Sequence, residues 1–138
     1  MTLPTGHYYI RSIAQTPHYR VGRFIVEDRS LLPKKIVNGV VGQIPHAWLV
    51  EKRDNEYVLR NAGARVGVLE GKLFAFLINE PDQFWRLLPF DKDSFRIVNA
   101  ADETFGWVLN EGDQEQVEVK KVDGKNPKEL WTFSPLED

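Results

Sequence analysis

Short apolar stretches of four to seven residues recur along the chain, separated by clusters of Gly, Asn, Asp and Pro. Phe24-Ile25-Val26, Lys35-Ile36-Val37, Ala47-Trp48-Leu49-Val50, Tyr57-Val58-Leu59, Val117-Glu118-Val119 and Trp131-Thr132-Phe133 are β-branched and aromatic, the content of strands. The best helical rival is Asn79 to Leu88, but Pro81 near its start and Pro89 just after it leave little more than two turns. The pattern predicts an all-β protein.

A repeat is hidden in that pattern. Tyr8-Tyr9-Ile10-Arg11-Ser12, Tyr57-Val58-Leu59-Arg60-Asn61 and Phe95-Arg96-Ile97-Val98-Asn99 each read aromatic, any, aliphatic, any, then Ser or Asn, at intervals of 49 and 38 residues. The first and third positions share one face of a strand, and the small polar residue begins a turn. Each segment is followed by a Gly-containing strand, Val21-Gly22-Arg23-Phe24, Val66-Gly67-Val68 and Phe105-Gly106-Trp107-Val108. Trp48 and Trp85 precede the second and third segments, and Trp131 stands near the C-terminus. Trp131 precedes the first segment only if the chain ends meet in space. Twelve strands in three units of four, closed on themselves, describe a β-trefoil, expected here as a single domain over residues 1–138. Its long connections, Glu27 to Lys34, Asn61 to Ala64, Pro89 to Asp93 and Val122 to Glu129, are then the surface loops on which function sits.

Composition narrows the function. The 138 residues carry 18 Lys and Arg against 20 Asp and Glu, a net charge of −2, so no overall positive field gathers phosphates or anionic lipid, and neither nucleic acid nor membrane is expected as a partner. Without cysteine there are no disulfides, thiolate nucleophiles or Cys-ligated zinc, and the 42% hydrophobic residues must stabilise the fold unaided. The opening Met1-Thr2-Leu3-Pro4-Thr5-Gly6 lacks the basic start and apolar middle of a signal peptide, so a soluble, cytoplasmic monomer is expected.

Side chains capable of catalysis are scarce. His7, His18 and His46 lack zinc-site spacing and have no nucleophile motif. Asp91-Lys92-Asp93-Ser94 begins like a calcium loop but has no later Gly or closing Glu, so it reads as a β-turn. No phosphate-cradling glycine run occurs, and Lys34-Lys35 and Lys120-Lys121 read as solvated strand ends. No enzyme activity, cofactor or metal is expected. Gln83-Phe84-Trp85 matches the Q-x-W signature of ricin-type lectins, but Pro45-His46-Ala47-Trp48 and Glu129-Leu130-Trp131 keep only the Trp. A carbohydrate-binding trefoil is therefore the rival reading, resting on that motif and on exposed aromatics such as Tyr19 and Trp107.

The stretch Val21 to Ile36 joins two apolar strands through a polar connection too long for a tight hairpin and ending in Pro33. Arg29-Ser30 in its middle has the form of a scissile pair for a trypsin-like protease, whose deep acidic pocket accepts Arg. On spacing alone a solvated arginine is the stronger reading. The sequence Glu27-Asp28-Arg29-Ser30-Leu31-Leu32-Pro33-Lys34, however, resembles the fungal serine protease inhibitors of the I66 family, the cospin-type mushroom trypsin inhibitors. Gly6-His7-Tyr8-Tyr9-Ile10, Trp48-Leu49-Val50-Glu51-Lys52, Glu56-Tyr57-Val58-Leu59 and Trp131-Thr132-Phe133 extend that resemblance over nearly the whole chain. The resemblance implies a β-trefoil whose loop between the second and third strands enters trypsin's specificity pocket. Arg29 would be P1 and Ser30 P1′, with Glu27, Asp28, Leu31 and Leu32 lying along the cleft. The family's alternative loop, between the last two strands, makes Lys125, with Gly124 and Asn126, a second candidate. Related mushroom inhibitors of asparagine-specific cysteine proteases present an Asn after the fifth strand, where Asn61-Ala62-Gly63 stands here.

Overall fold

The computed structural model describes residues 3–15, 20–23, 30–39, 46–78, 83–112 and 114–136. Its strands are β1 (Gly6–Ser12), β2 (Val21–Arg23), β3 (Lys34–Asn38), β4 (Trp48–Arg53), β5 (Glu56–Asn61), β6 (Ala64–Leu69), β7 (Lys72–Phe76), β8 (Trp85–Pro89), β9 (Phe95–Asn99), β10 (Phe105–Val108), β11 (Glu118–Lys121) and β12 (Trp131–Pro135). Trp85 to Leu88, the last four residues of the helical rival, is thus extended; Phe24-Ile25-Val26 and residues 79–82 lie outside the described residues.

Six strands close a ring, each antiparallel to the next: β1 with β4, β4 with β5, β5 with β8, β8 with β9, β9 with β12, and β12 with β1. The last pairing, from Tyr8 opposite Pro135 to Ser12 opposite Trp131, brings the chain ends together. The hairpins β2–β3, β6–β7 and β10–β11 form the cap, linked by β3 against β7, β11 against β7 and a bridge from Val37 to Gln116. This is the β-trefoil. The ring has no free edge, so its backbone donors and acceptors are paired without a terminal strand to protect.

The repeat has a physical cause in the register. Trp48 faces Tyr8, Trp85 faces Tyr57 and Trp131 faces Phe95, each within one unit. The same indoles face Asn61, Asn99 and Ser12 of the following unit. Aromatic first positions thus pack beside the tryptophans, and the small polar last positions mark where the strand leaves the barrel.

Within the third unit the glycine is displaced. Ile10 pairs with Val21, Arg60 with Arg65 and Val98 with Gly106; continued by one step, the last two registers set Leu59 towards Val66 and Ile97 towards Trp107. Trp107 therefore occupies the place of Val21 and Val66, and Gly106 is offset by two residues from Gly22 and Gly67. Trp107 is fully buried, not an exposed aromatic, because that register points it inward at the centre of the other three indoles. Its ring lies 5.4 Å from Trp48 and 5.7 Å from both Trp85 and Trp131, edge-on to the latter two. Trp48 Nε1 donates to the Val21 carbonyl at 2.9 Å and Trp131 Nε1 to that of Trp107 at 3.2 Å. Ile10, Ile36, Leu59, Leu73 and Ile97 complete this core.

Candidate protease-binding loops

Two surface loops carry the predicted contact residues. In the first, Glu27, Asp28 and Arg29 lie outside the described residues. Its downstream half is on the surface, with Ser30 exposed and Leu31 and Leu32 offering two bare aliphatic side chains to a partner. The Ser30 hydroxyl accepts the Leu32 N–H at 3.3 Å and the Lys34 ammonium at 3.1 Å. Lys34, read from sequence as a solvated strand end, is buried: β3 begins there, opposite Ala75 of β7, and its stem is covered while its charge reaches the hydroxyl. Lys35, one residue on, points to solvent.

The upstream end is held from another unit. Asn61 is fully buried, its Oδ1 accepting the Arg23 N–H at 2.9 Å and its Nδ2 donating to the His46 carbonyl at 3.0 Å. The Arg23 guanidinium in turn donates to the carbonyls of Asn61 and Ala62, both at 3.3 Å. The Asn61 side chain is therefore covered and bonded rather than presented on the surface. It is consumed in tying the last residue of β2, where the first loop starts, to the β5–β6 turn.

The second loop joins β11 to β12. Gly124 is half-buried, while Lys125 and Asn126 are exposed. Its backbone is braced at nearly every step. Glu129, buried at the base, accepts the N–H groups of Asp123 at 3.1 Å and Gly124 at 2.9 Å on one carboxylate oxygen. The Asp123 carboxylate accepts the Lys125 N–H at 2.8 Å. That bond, first among its causes, holds the Asp123 carboxyl below its ordinary value. Asn126 caps a single 3₁₀ turn (Pro127–Glu129) by accepting the Lys128 N–H at 3.0 Å, with Pro127 in the first position of the turn. Gly124 has φ +77°, a backbone conformation that favours glycine, and a Cβ there would push the flexible Arg96 guanidinium, 3.0 Å away, by a few tenths of an ångström. The turn and the Glu129 brace were absent from the sequence reading, although Asn126-Pro127 followed by an acid three residues after the cap is a helix-start signal.

The Asp91 carboxylate accepts the N–H groups of Asp93 and Ser94 and the Ser94 hydroxyl, all at 2.8 Å, which makes the predicted turn. Trp85 of Gln83-Phe84-Trp85 is fully buried and offers no surface to a ligand, while Gln83 Oε1 accepts the Val68 N–H at 3.3 Å. Tyr19 lies outside the described residues. Among the described residues, no His, Asp and Glu cluster suited to a metal occurs.

The whole chain can be set beside known proteins. A proteinase inhibitor from Coprinopsis cinerea superposes with a TM-score of 0.86 at 34% identity, covering 98% of this chain and all of that one. A serine protease inhibitor from Lentinula edodes is 33% identical over 120 residues, 84% of this chain and 81% of that protein. The designed threefold-symmetric protein ThreeFoil, at 14% identity and a TM-score of 0.74, covers 95% of this chain and 99% of its own and shares the architecture alone. Residues 1–135 match the family described as peptidase inhibitor I66. The chain belongs to the I66 family of peptidase inhibitors.

Proposed function

We propose that the protein is a monomeric, substrate-like inhibitor of trypsin-like serine proteases, with Arg29 as P1, Ser30 as P1′ and Glu27 to Leu32 lying across the cleft. The similarity to inhibitors from two mushrooms supports the class of target. The arginine supports the specificity, since an acidic pocket selects a long cation. The observation that carries the reading is the bracing on either side of residues 24–29, Arg23 by Asn61 and Ser30 by Lys34. A loop held in place loses little entropy on binding. After acylation the leaving amine of Ser30 stays beside the acyl carbonyl and re-forms the bond.

Lys125 is the second candidate for P1 on the same reasoning. It is exposed at the tip of a turn whose preceding three N–H groups, its own included, are taken by Glu129 and Asp123. Titration of trypsin with the wild type, Arg29→Ala, Lys125→Ala and the double variant tests both loops. Truncating a central arginine anchor is expected to cost at least about 2 kcal/mol, some thirtyfold in affinity. Inhibition by the double variant equal to that of the wild type would refute the proposal, and a loss confined to Lys125→Ala would transfer the role to the second loop.

A further inference from the structure

An open cleft of 590 Å³, away from both basic loops in the sequence, is lined by Glu56, Gln83, Phe84, Asn99, Ala100 and Ala101. It shares Gln83 and Val68 with an adjoining hollow of 360 Å³. Phe84 is 40% exposed, yet its backbone is fixed, its carbonyl accepting the Ala100 N–H at 3.0 Å. A partly exposed aromatic side chain thus stands on a fixed stretch of backbone at the edge of the cleft.

The polar groups around it are positioned and only half used. Gln83 is pinned by its bond from Val68 and by the bare backbone of Gly67, where a Cβ would fall 2.7 Å from Nε2. Its amide hydrogens find no acceptor among the described residues. Asn99 Oδ1 accepts the Ala101 N–H at 2.8 Å, which orients the amide and leaves Nδ2 to donate. One oxygen of Glu56 accepts from Arg86 Nη2 at 3.3 Å, and the other has no hydrogen-bond partner among the described residues. The cleft therefore sets two donors and an acceptor about one aromatic face.

We propose that this cleft binds a neutral saccharide, stacked on Phe84, with its hydroxyls accepting from Asn99 and Gln83 and donating to Glu56. A pyranose has an apolar C–H face and a rim of hydroxyls that each donate and accept, which fits a shallow site of this composition. An anionic sugar is disfavoured, because Glu56 is itself negative and Arg86 is already shared between Glu56 and Glu103. A peptide adding as a strand is disfavoured too, since β8 is paired on both sides, with β5 and with β9.

The full chain on a printed array of neutral oligosaccharides ending in galactose, N-acetylgalactosamine, N-acetylglucosamine or mannose is the first test, followed by titration of ¹⁵N-labelled protein with the retained glycan. The expected result is retention of at least one glycan, with the amides of Phe84, Asn99 and Ala101 shifting. Phe84→Ala should weaken it at least tenfold and leave trypsin inhibition unchanged. Arg29→Ala and Lys125→Ala should leave glycan binding intact, so the two activities fail independently. Retention of no neutral glycan, or equal affinity in Phe84→Ala, overturns the proposal.

Discussion

The Oε1 atom of Glu129 accepts the backbone N–H of Gly124 at 2.9 Å, a buried carboxylate closing the loop that lifts Lys125 into solvent. Removing it in Glu129→Ala strands two backbone donors, those of Asp123 and Gly124, at a cost of roughly 1–3 kcal/mol, or about 3–10 °C in Tm. Glu129→Gln keeps an oxygen acceptor and should fall between Glu129→Ala and the wild type. The same order is expected for cleavage after Lys125 by excess trypsin, followed by mass spectrometry, with Glu129→Ala cut fastest. Equal melting and equal cleavage in all three proteins would mean that the carboxylate does not order the loop.

The ammonium of Lys34 donates to the Ser30 hydroxyl from an almost covered position, 6% exposed. Lys34→Met retains the stem and deletes the donor. Losing one charge-assisted bond to the P1′ side chain is expected to weaken trypsin inhibition by about tenfold and to speed hydrolysis at Arg29-Ser30. Global stability should not fall, because an apolar replacement avoids the desolvation of a buried charge. A urea midpoint that drops in parallel with inhibition would reassign Lys34 to the fold rather than to the loop.

Asp123 adds a dependence on acidity. Its carboxyl titrates below the ordinary 3.8 because the ionised form accepts the Lys125 N–H. A depressed folded value means that the bracing is complete above the unfolded value and is lost as pH falls through the folded one. The amide resonance of Lys125 should therefore stay constant from neutral pH down to about 5 and then move with a midpoint under 3.8. In Asp123→Asn that step should vanish. A midpoint at or above 3.8 would show that the bond does not favour the carboxylate.

The barrel was legible in the sequence because its determinants are local and periodic. Tyr8, Tyr57 and Phe95 recur with an aliphatic residue two positions on, and their pairing with Trp48, Trp85 and Trp131 is a register consequence of that spacing. What escaped depends on residues far apart in the chain. Asn61 looks like any turn asparagine until β5 sets it beside Arg23, 38 residues earlier. Lys34 looks like half of a solvated basic pair until β3 packs on β7. Trp107 follows Gly106 as Arg23 follows Gly22, an alignment that would send it outward; only the pairing of Val98 with Gly106 turns it in. Glu129 and Gly124 are close in sequence, but their bond requires the 3₁₀ turn begun by Asn126 and Pro127.

Trp107 breaks the threefold symmetry at the place where the first two units carry Val21 and Val66, and it fills the space that their smaller side chains would leave. Its three ring partners, at 5.4 to 5.7 Å, are the tryptophans of all three units, so one side chain joins the units at the barrel's centre. Trp107→Val restores the symmetric residue but removes those ring contacts and opens a void lined by three indoles. The expected loss is about 3 kcal/mol, the low end for deleting a buried tryptophan, read from urea unfolding followed by circular dichroism. Trypsin inhibition measured well below the melting transition should persist, because both loops are braced by side chains outside this cluster. A loss under about 1 kcal/mol would show that the other three indoles close over the void and that the symmetric core packs as well as the asymmetric one.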